Sequence, residues 1–211
     1  MDYKEYNDEL FSRWAPIYDG FELILADIRK EMVEQINPNN KLVLDVATGT
    51  GSLAIGLSRK AKKVVAIDLS SQMLAVAKKK SANSNITLLQ MDATEMKFED
   101  DEFDIVTISL GLHDMPREVR DAVLKETKRV LKNDGQLFIL EYDLPRNKLL
   151  RSISAYLINI FESKYYLEFI HTGLQDYLKS FDFKIKGKKS YLFGHLQLIS
   201  LTNGEQTLTK N

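Results

Sequence analysis

Apolar and polar residues alternate along the chain in a strand–turn–helix order that repeats several times. The run Leu42–Val46 is almost continuously apolar, which is typical of a parallel strand covered on both faces. This alternation predicts an α/β fold with a mostly parallel sheet. Similar runs, with helix-like stretches between them, follow at 64–67, 86–89, 103–109 and 137–140.

The segments outside these runs carry other patterns. Apolar residues at helix-like spacing predict two cap helices near the N-terminus, separated at Pro16. Phe181, Phe183 and Ile185 alternate with polar residues and predict a half-exposed strand in a hairpin. At 211 residues the chain is expected to form one domain. Its predicted parts are the N-terminal cap helices (1–37), a core (41–143), a helical region (145–180) and the C-terminal hairpin (181–203).

The turn after the first apolar run is the strongest candidate for a ligand site. Glycine at Gly49 and Gly51 lets backbone approach a ligand closely, and the following helix offers unpaired N–H groups. The next apolar run ends in Asp68, so its carboxylate should lie at the tip of the neighbouring strand. An adenosine ribose would present two hydroxyls there. The pattern therefore predicts a cofactor that contains adenosine.

Two classes of cofactor fit this turn. Gly49–Ala54 matches the G-x-G-x-x-A fingerprint of dinucleotide binding, so a nicotinamide-dependent oxidoreductase is one hypothesis. Three features argue against it. Asp45 lies inside the strand, where dinucleotide binders usually carry an apolar residue. An acidic residue followed by a small one, Asp92-Ala93, comes directly after the third predicted strand. A fourth predicted strand begins at Phe103, at the expected spacing.

The ordered motifs resemble those of class I S-adenosylmethionine-dependent methyltransferases. Within that class the chain is most similar to the UbiE-like quinone-pathway C-methyltransferases (methyltransferase type 11). The resemblance covers residues 10–145 well and the remainder loosely. It implies a Rossmann-like sheet of strand order 3-2-1-4-5-7-6 with one antiparallel strand, N-terminal helices and a helical lid. The motifs are LVLDVATGTG, VVAIDLSSQML, QMDATEM, FEDDEFDIVTISLGLH and RVLKNDGQLFILEY.

The resemblance also implies which residues bind S-adenosyl-L-methionine. It assigns the Gly49–Gly51 turn to the methionine moiety, Asp68 to the ribose hydroxyls and Asp92 to the adenine amine. Asp45 is expected to order the loop or to reach the methionyl amine through water. The whole predicted set is Tyr18, Asp45, Ala47, Thr48, Gly49, Gly51, Asp68, Leu69, Met73, Asp92, Ala93 and Ser109.

Candidate acceptor residues follow the fourth and fifth strands. His113 is predicted to be a general base, because an imidazole pKa of about 6.5 allows proton exchange at neutral pH. A role in orienting the loop is the alternative. Tyr142, Tyr166 and His171 are expected to bind the acceptor, with residues 145–180 forming an aromatic lid or simply packing on the sheet. The histidines lack metal-ligand spacing, so no metal site is predicted.

Composition narrows the remaining classes of function. With 29 basic and 30 acidic side chains, the chain has no basic field to hold nucleic acid. The absence of cysteine excludes disulfides and thiolate catalysis, and it suits a reducing cytoplasm. The N-terminal residues do not resemble a signal peptide, and no apolar run approaches the roughly 20 residues of a membrane span.

The leading hypothesis is a cytoplasmic methyltransferase that uses S-adenosyl-L-methionine and a small, aromatic or quinone-like acceptor. A nicotinamide-dependent oxidoreductase and a non-catalytic S-adenosylmethionine-binding module remain the alternatives. No nucleic-acid partner is expected. The choice between monomer and homodimer stays open.

Overall fold

A mixed seven-stranded sheet organises the computed structural model, which describes residues 25–82, 84–145, 147 and 165–204. The strand order is 3-2-1-4-5-7-6, and β7 is antiparallel to both of its neighbours while the other strands are parallel. The predicted order and the single antiparallel strand are therefore confirmed. The strands are β1 (Leu42–Val46), β2 (Lys63–Asp68), β3 (Ile86–Gln90), β4 (Phe103–Ser109), β5 (Leu131–Tyr142), β6 (Lys184–Tyr191) and β7 (Leu196–Thr202).

Helices cover both faces of the sheet. Helix α1 is described over residues 25–36, within the second predicted cap helix. Residues 1–24, which include Tyr18, lie outside the described residues, as do 146 and 148–164 of the predicted lid. The other helices are α2 (Ser52–Ser58), α3 (Ser71–Lys80), α4 (Arg117–Val130), α5 (Tyr166–Thr172) and α6 (Leu174–Lys179), with a 3-10 turn at Leu112–Asp114.

Alternating side chains of β1 separate two hydrophobic cores. Val43 is buried with residues of α1 and α2 on one face, whereas Leu44 and Val46 are buried with residues of α4, α5 and α6 on the other. Because side chains alternate along a strand, Asp45 shares the face of Val43. Parallel pairing brings the carboxyl ends of β1 to β5 to one edge of the sheet, where open α/β sheets bind ligands.

Candidate functional site

A crevice that is partly open to solvent lies at the carboxyl edge of the sheet. Open α/β sheets bind ligands in a crevice at this position. Most of the residues predicted to bind the cofactor line this crevice, but Asp45 and Gly51 are not part of its lining. The predicted residues in the lining are Ala47, Thr48, Gly49, Asp68, Leu69, Met73, Asp92, Ala93 and Ser109.

Asp45 holds one of the lining residues of the crevice, Thr48, in place. Its buried carboxylate accepts hydrogen bonds from the hydroxyls of Thr48 and Thr107, each at 2.6 Å. Burial raises the pKa of Asp45 to about 6, although the two hydrogen bonds and the charge of Arg29 oppose that shift. Thus Asp45 ties the loop after β1 to β4, which is the loop-ordering alternative foreseen for this residue.

Gly49 and Gly51 serve different purposes in the turn. Both have left-handed backbone, with φ of 56° and 79°. A Cβ at Gly51 would approach the Cβ of Ala77 to 2.9 Å, so glycine there allows α3 to pack on the start of α2. A Cβ at Gly49 would meet nothing within 4 Å. Gly49 therefore leaves open space on the crevice side, and Gly51 leaves room for protein.

The Asp68 carboxylate is held in place by backbone amides. Its Oδ2 accepts a hydrogen bond from the N–H of Gly49 at 2.7 Å, and its Oδ1 accepts one from Ser70 at 2.9 Å. Burial raises the pKa of Asp68, and these backbone bonds oppose the shift. A carboxylate oxygen can accept more than one hydrogen bond, so both oxygens keep capacity for a ligand hydroxyl.

Another part of the crevice lining combines the carboxylate of Asp92 with apolar side chains. Asp92 Oδ1 accepts hydrogen bonds from the backbone N–H of Thr94 at 2.9 Å and from its hydroxyl at 2.7 Å. Met73, buried in the first turn of α3, also lines the space, as does Val123 of α4. An apolar slot with a fixed acid at its rim suits a purine ring that carries an exocyclic amine.

Two hydroxyls in the lining are unsatisfied. The Thr50 and Ser109 side-chain oxygens are buried and have no hydrogen-bond partner among the described residues. A buried polar group without a partner costs free energy, so an unsatisfied hydroxyl in a crevice lining is a candidate for a hydrogen bond to a ligand or to water. Together with the open side of Gly49 and the fixed Asp68, they fit a polar, adenosine-containing ligand.

A buried charged cluster, formed by His113, Asp114 and Glu141, adjoins the crevice. His113 Nδ1 lies 2.9 Å from Glu141 Oε2, and its Nε2 lies 3.2 Å from Asp114 Oδ2. Glu141 also accepts the N–H of Leu112 at 2.6 Å. Burial alone would lower the pKa of His113, but the carboxylates of Asp114 and Glu141 raise it well above its usual value. A carboxylate facing each ring nitrogen therefore favours the doubly protonated, imidazolium form of His113.

Aromatic side chains enclose this charged cluster. The Tyr142 ring lies 4.8 Å from the His113 ring, edge to face, and 5.2 Å from Tyr166. Phe169 packs 6.3 Å from His113 and is buried against Arg120. Arg120 forms an ion pair with Glu168, so helices α4 and α5 are joined beside the cluster. Tyr166 and Phe169, which lie in the predicted helical region 145–180, thus belong to the core and also border the site.

Several proteins of known name are similar to this chain in sequence. The model of a methyltransferase domain matches residues 43–135. A demethylmenaquinone methyltransferase of Lactobacillus johnsonii is 36% identical over 156 residues, which cover 68% of this chain and 63% of that protein. The ubiquinone/menaquinone biosynthesis C-methyltransferase UbiE of Rickettsia prowazekii is 34% identical over 175 residues, covering 74% of this chain and 68% of that protein. The chain belongs to the UbiE-like methyltransferase family.

A solved structure agrees with the fold of this chain. A methyltransferase of Haloferax volcanii, solved in a complex with the Trm112 methyltransferase activator, has a TM-score of 0.73 at 14% identity. The alignment covers 94% of this chain and 97% of that one, so the likeness extends through the C-terminal strands. The chain spans about three fifths of the length of the first curated relatives it matches. The family and its cofactor, S-adenosyl-L-methionine, are as predicted.

The predicted acceptor residues do not all lie together in the structure. Tyr142 and Tyr166 meet beside His113, but His171 is exposed on the outer side of α5. Its Nδ1 lies 2.6 Å from the carbonyl oxygen of Leu167, one turn earlier. A helix turns about 100° per residue, so residues 166 and 171 cannot share a face. The structure therefore separates His171 from the other predicted acceptor residues.

Some residues of the site were not foreseen. Arg29 of α1 lines the crevice, and its positive charge partly opposes the rise in the pKa of Asp45. Asp114 lines the crevice as well, and Glu141 is fully buried beneath it. An acid that directly follows the apolar run of β5 is the one sequence signal for Glu141, since a buried carboxylate needs a partner. Nothing in the local sequence indicates Arg29.

Two other kinds of feature are absent from the part of the chain that the structure describes. Among the residues that the structure describes, no cluster of histidine and acidic side chains could hold a metal ion. In the same parts of the chain, no helix has the length and apolar character needed to cross a bilayer.

Proposed function

We propose that this chain transfers the methyl group of S-adenosyl-L-methionine to a small, aromatic, quinone-like acceptor. The observation that carries the proposal is a single crevice with two kinds of lining. One part has Gly49 and Asp68 arranged for an adenosine-containing cofactor. Another part has Asp114, through which an aromatic and charged cluster reaches the same space.

The residues of the first part would divide the cofactor between them. The open side of Gly49 would accommodate the methionine moiety, Asp68 would accept hydrogen bonds from the ribose, and Asp92 would accept one from the adenine amine. When bound, this cofactor supplies an electrophilic methyl on a sulfonium. The protein therefore needs to hold the acceptor in line with that bond and to exclude water, more than to activate it covalently.

The residues of the second part suit a planar, electron-rich acceptor. Tyr142 and Tyr166 form an edge-to-face pair, a geometry that aromatic ligands extend readily. Relatives named for demethylmenaquinone, ubiquinone and menaquinone methylation support a quinone nucleus in its reduced form as the acceptor. A reduced quinone carries hydroxyls next to the carbon that would receive the methyl.

Methyl transfer can be measured directly on the purified chain. Radiolabelled S-adenosylmethionine would be supplied with a naphthohydroquinone, and label in the extracted organic phase would be counted together with S-adenosylhomocysteine formed. We expect both products in equal amounts, and less of both with Asp68→Ala at the same subsaturating cofactor concentration. A chain that binds S-adenosylhomocysteine in calorimetry but methylates no hydroquinone would overturn this function while leaving the family assignment intact.

A further inference from the structure

The geometry of the charged cluster assigns the proton chemistry to a residue that the sequence did not single out. We propose that Asp114, and not His113, receives the proton that the acceptor loses, and that the buried His113–Glu141 pair positions it. This inference rests on the proposed methyl transfer to a hydroxylated acceptor. It deepens that function by requiring an acceptor with an ionisable hydroxyl beside the methylated atom.

His113 has no free nitrogen to act as a base. Its Nδ1 is paired with Glu141 and its Nε2 with Asp114, at 2.9 and 3.2 Å. The ring is 4% exposed and is enclosed by Tyr142, Tyr166 and Phe169. A general base must present a lone pair within hydrogen-bond reach of the proton that it removes. An imidazolium donates from both nitrogens and presents none.

Asp114 meets that requirement where His113 does not. Its side chain lines the crevice, while Oδ2 is held by His113. None of the described residues donates a hydrogen bond to its other oxygen, Oδ1. The ion pair with His113 fixes the orientation of this carboxylate. Glu141, which is fully buried and also accepts the N–H of Leu112, fixes the far side of the ring.

The step balances without any further reactant. The acceptor's hydroxyl proton passes to Asp114, and its O–H electron pair moves into the ring. The neighbouring ring carbon then bonds to the methyl as the carbon–sulfur bond breaks, and that electron pair stays on sulfur. The same ring carbon loses its hydrogen to water, and the oxygen regains a proton from Asp114. The net products are the methylated acceptor, S-adenosylhomocysteine and one proton.

Three variants of the full chain separate the two residues. Asp114→Asn removes the proposed base, and His113→Gln removes the positioning ring. Glu118→Gln, an exposed acid in the first turn of α4, is the matched control. With naphthohydroquinone, we expect Asp114→Asn to lower kcat by roughly 100- to 10,000-fold, His113→Gln to lower it less, and the control to leave it unchanged. S-adenosylhomocysteine affinity should stay within about twofold in all three, because none of these side chains holds the cofactor.

A more acidic acceptor provides a second readout that a purely structural role would not move. A halogenated naphthohydroquinone is already partly ionised, so it should restore part of the lost rate in Asp114→Asn but not in His113→Gln. A larger loss in His113→Gln than in Asp114→Asn would overturn the assignment. A tenfold loss of S-adenosylhomocysteine affinity in Asp114→Asn would overturn it too, because Asp114 would then be a cofactor ligand.

Nitrogen NMR of the histidine rings measures the protonation state of His113 independently of turnover. We expect His113, identified by its loss in His113→Gln, to carry protons on both ring nitrogens through neutral pH. A neutral His113 ring at pH 7 would overturn the inference even if methyl transfer were observed. Absence of transfer by the wild type, with a doubly protonated His113, would instead count against the proposed function.

Discussion

Removing the Asp68 carboxylate tests the cofactor half of the site most directly. The side chain accepts backbone hydrogen bonds from Gly49 at 2.7 Å and from Ser70 at 2.9 Å, so its oxygens are fixed before any ligand arrives. Asp68→Ala would remove the acceptor for the ribose hydroxyls without adding a bulky group. A hydrogen bond to a charged partner contributes about 1.5–3 kcal/mol, which corresponds to a roughly 10- to 150-fold rise in Kd.

Isothermal calorimetry with S-adenosylhomocysteine measures this Kd without the complication of turnover. Asp68→Asn keeps one oxygen and the side-chain volume, so it separates loss of charge from loss of shape and should give an intermediate Kd. Glu95→Gln is the matched control, because the Glu95 side chain is 79% exposed and forms an ion pair with Lys97 at 3.9 Å. An unchanged Kd in Asp68→Ala would refute the assignment of Asp68 to the ribose.

Further predictions concern packing, pH and the acceptor. Gly51→Ala places a methyl 2.9 Å from the Ala77 Cβ in a left-handed backbone, and we expect it to lower the free energy of unfolding by about 1–3 kcal/mol in urea titrations. A Gly51→Ala chain as stable as the wild type would contradict this packing. Because burial raises the pKa of Asp45 to about 6, the folded chain binds that proton more tightly than the unfolded chain, and stability is lost as pH rises through this range. Asp45→Asn should therefore gain roughly 2–3 kcal/mol over the wild type between pH 4 and pH 8, and parallel stability curves would count against it. Tyr166→Ala should impair turnover of a hydroquinone but leave S-adenosylhomocysteine affinity within about twofold, with Tyr166→Phe as the control; equal loss of both would show that Tyr166 only supports the fold.

The parallel strands of the sheet could be predicted from short-range patterns. Each buried strand is a short apolar run, and each lies between helix-like segments, so the parallel part could be predicted from residues close together in the chain. The insertion of β7 between β5 and β6 was implied by family resemblance alone. The alternating pattern from Phe181 to Ile185 does not indicate which strand the hairpin will pair with, because strand pairing depends on residues far apart in the sequence.

Site residues were predictable where a backbone constraint shows in sequence. Gly49 and Asp68 were found because a glycine turn and a strand-terminal acid are local signals. The function of Gly51 was not, since its requirement for glycine comes from Ala77 on another helix. The separation of Tyr166 from His171 depends on the phase of α5, which aromatic content does not reveal. The prediction for Tyr18 lies outside the described residues.

The position of β7 has a consequence for how the chain reaches this fold. Until β7 arrives, β5 is an edge strand that exposes the apolar run 137–140 and its unpaired backbone groups. The β6–β7 hairpin can form locally, from Tyr191 opposite Leu196, but its docking must close the long connection back to Tyr142. Formation of the β5–β7 pair is thus a late, non-local event, during which β5 is the segment most exposed to aggregation. Chains that lack the C-terminal hairpin should associate through β5 and not remain as a smaller cofactor-binding unit.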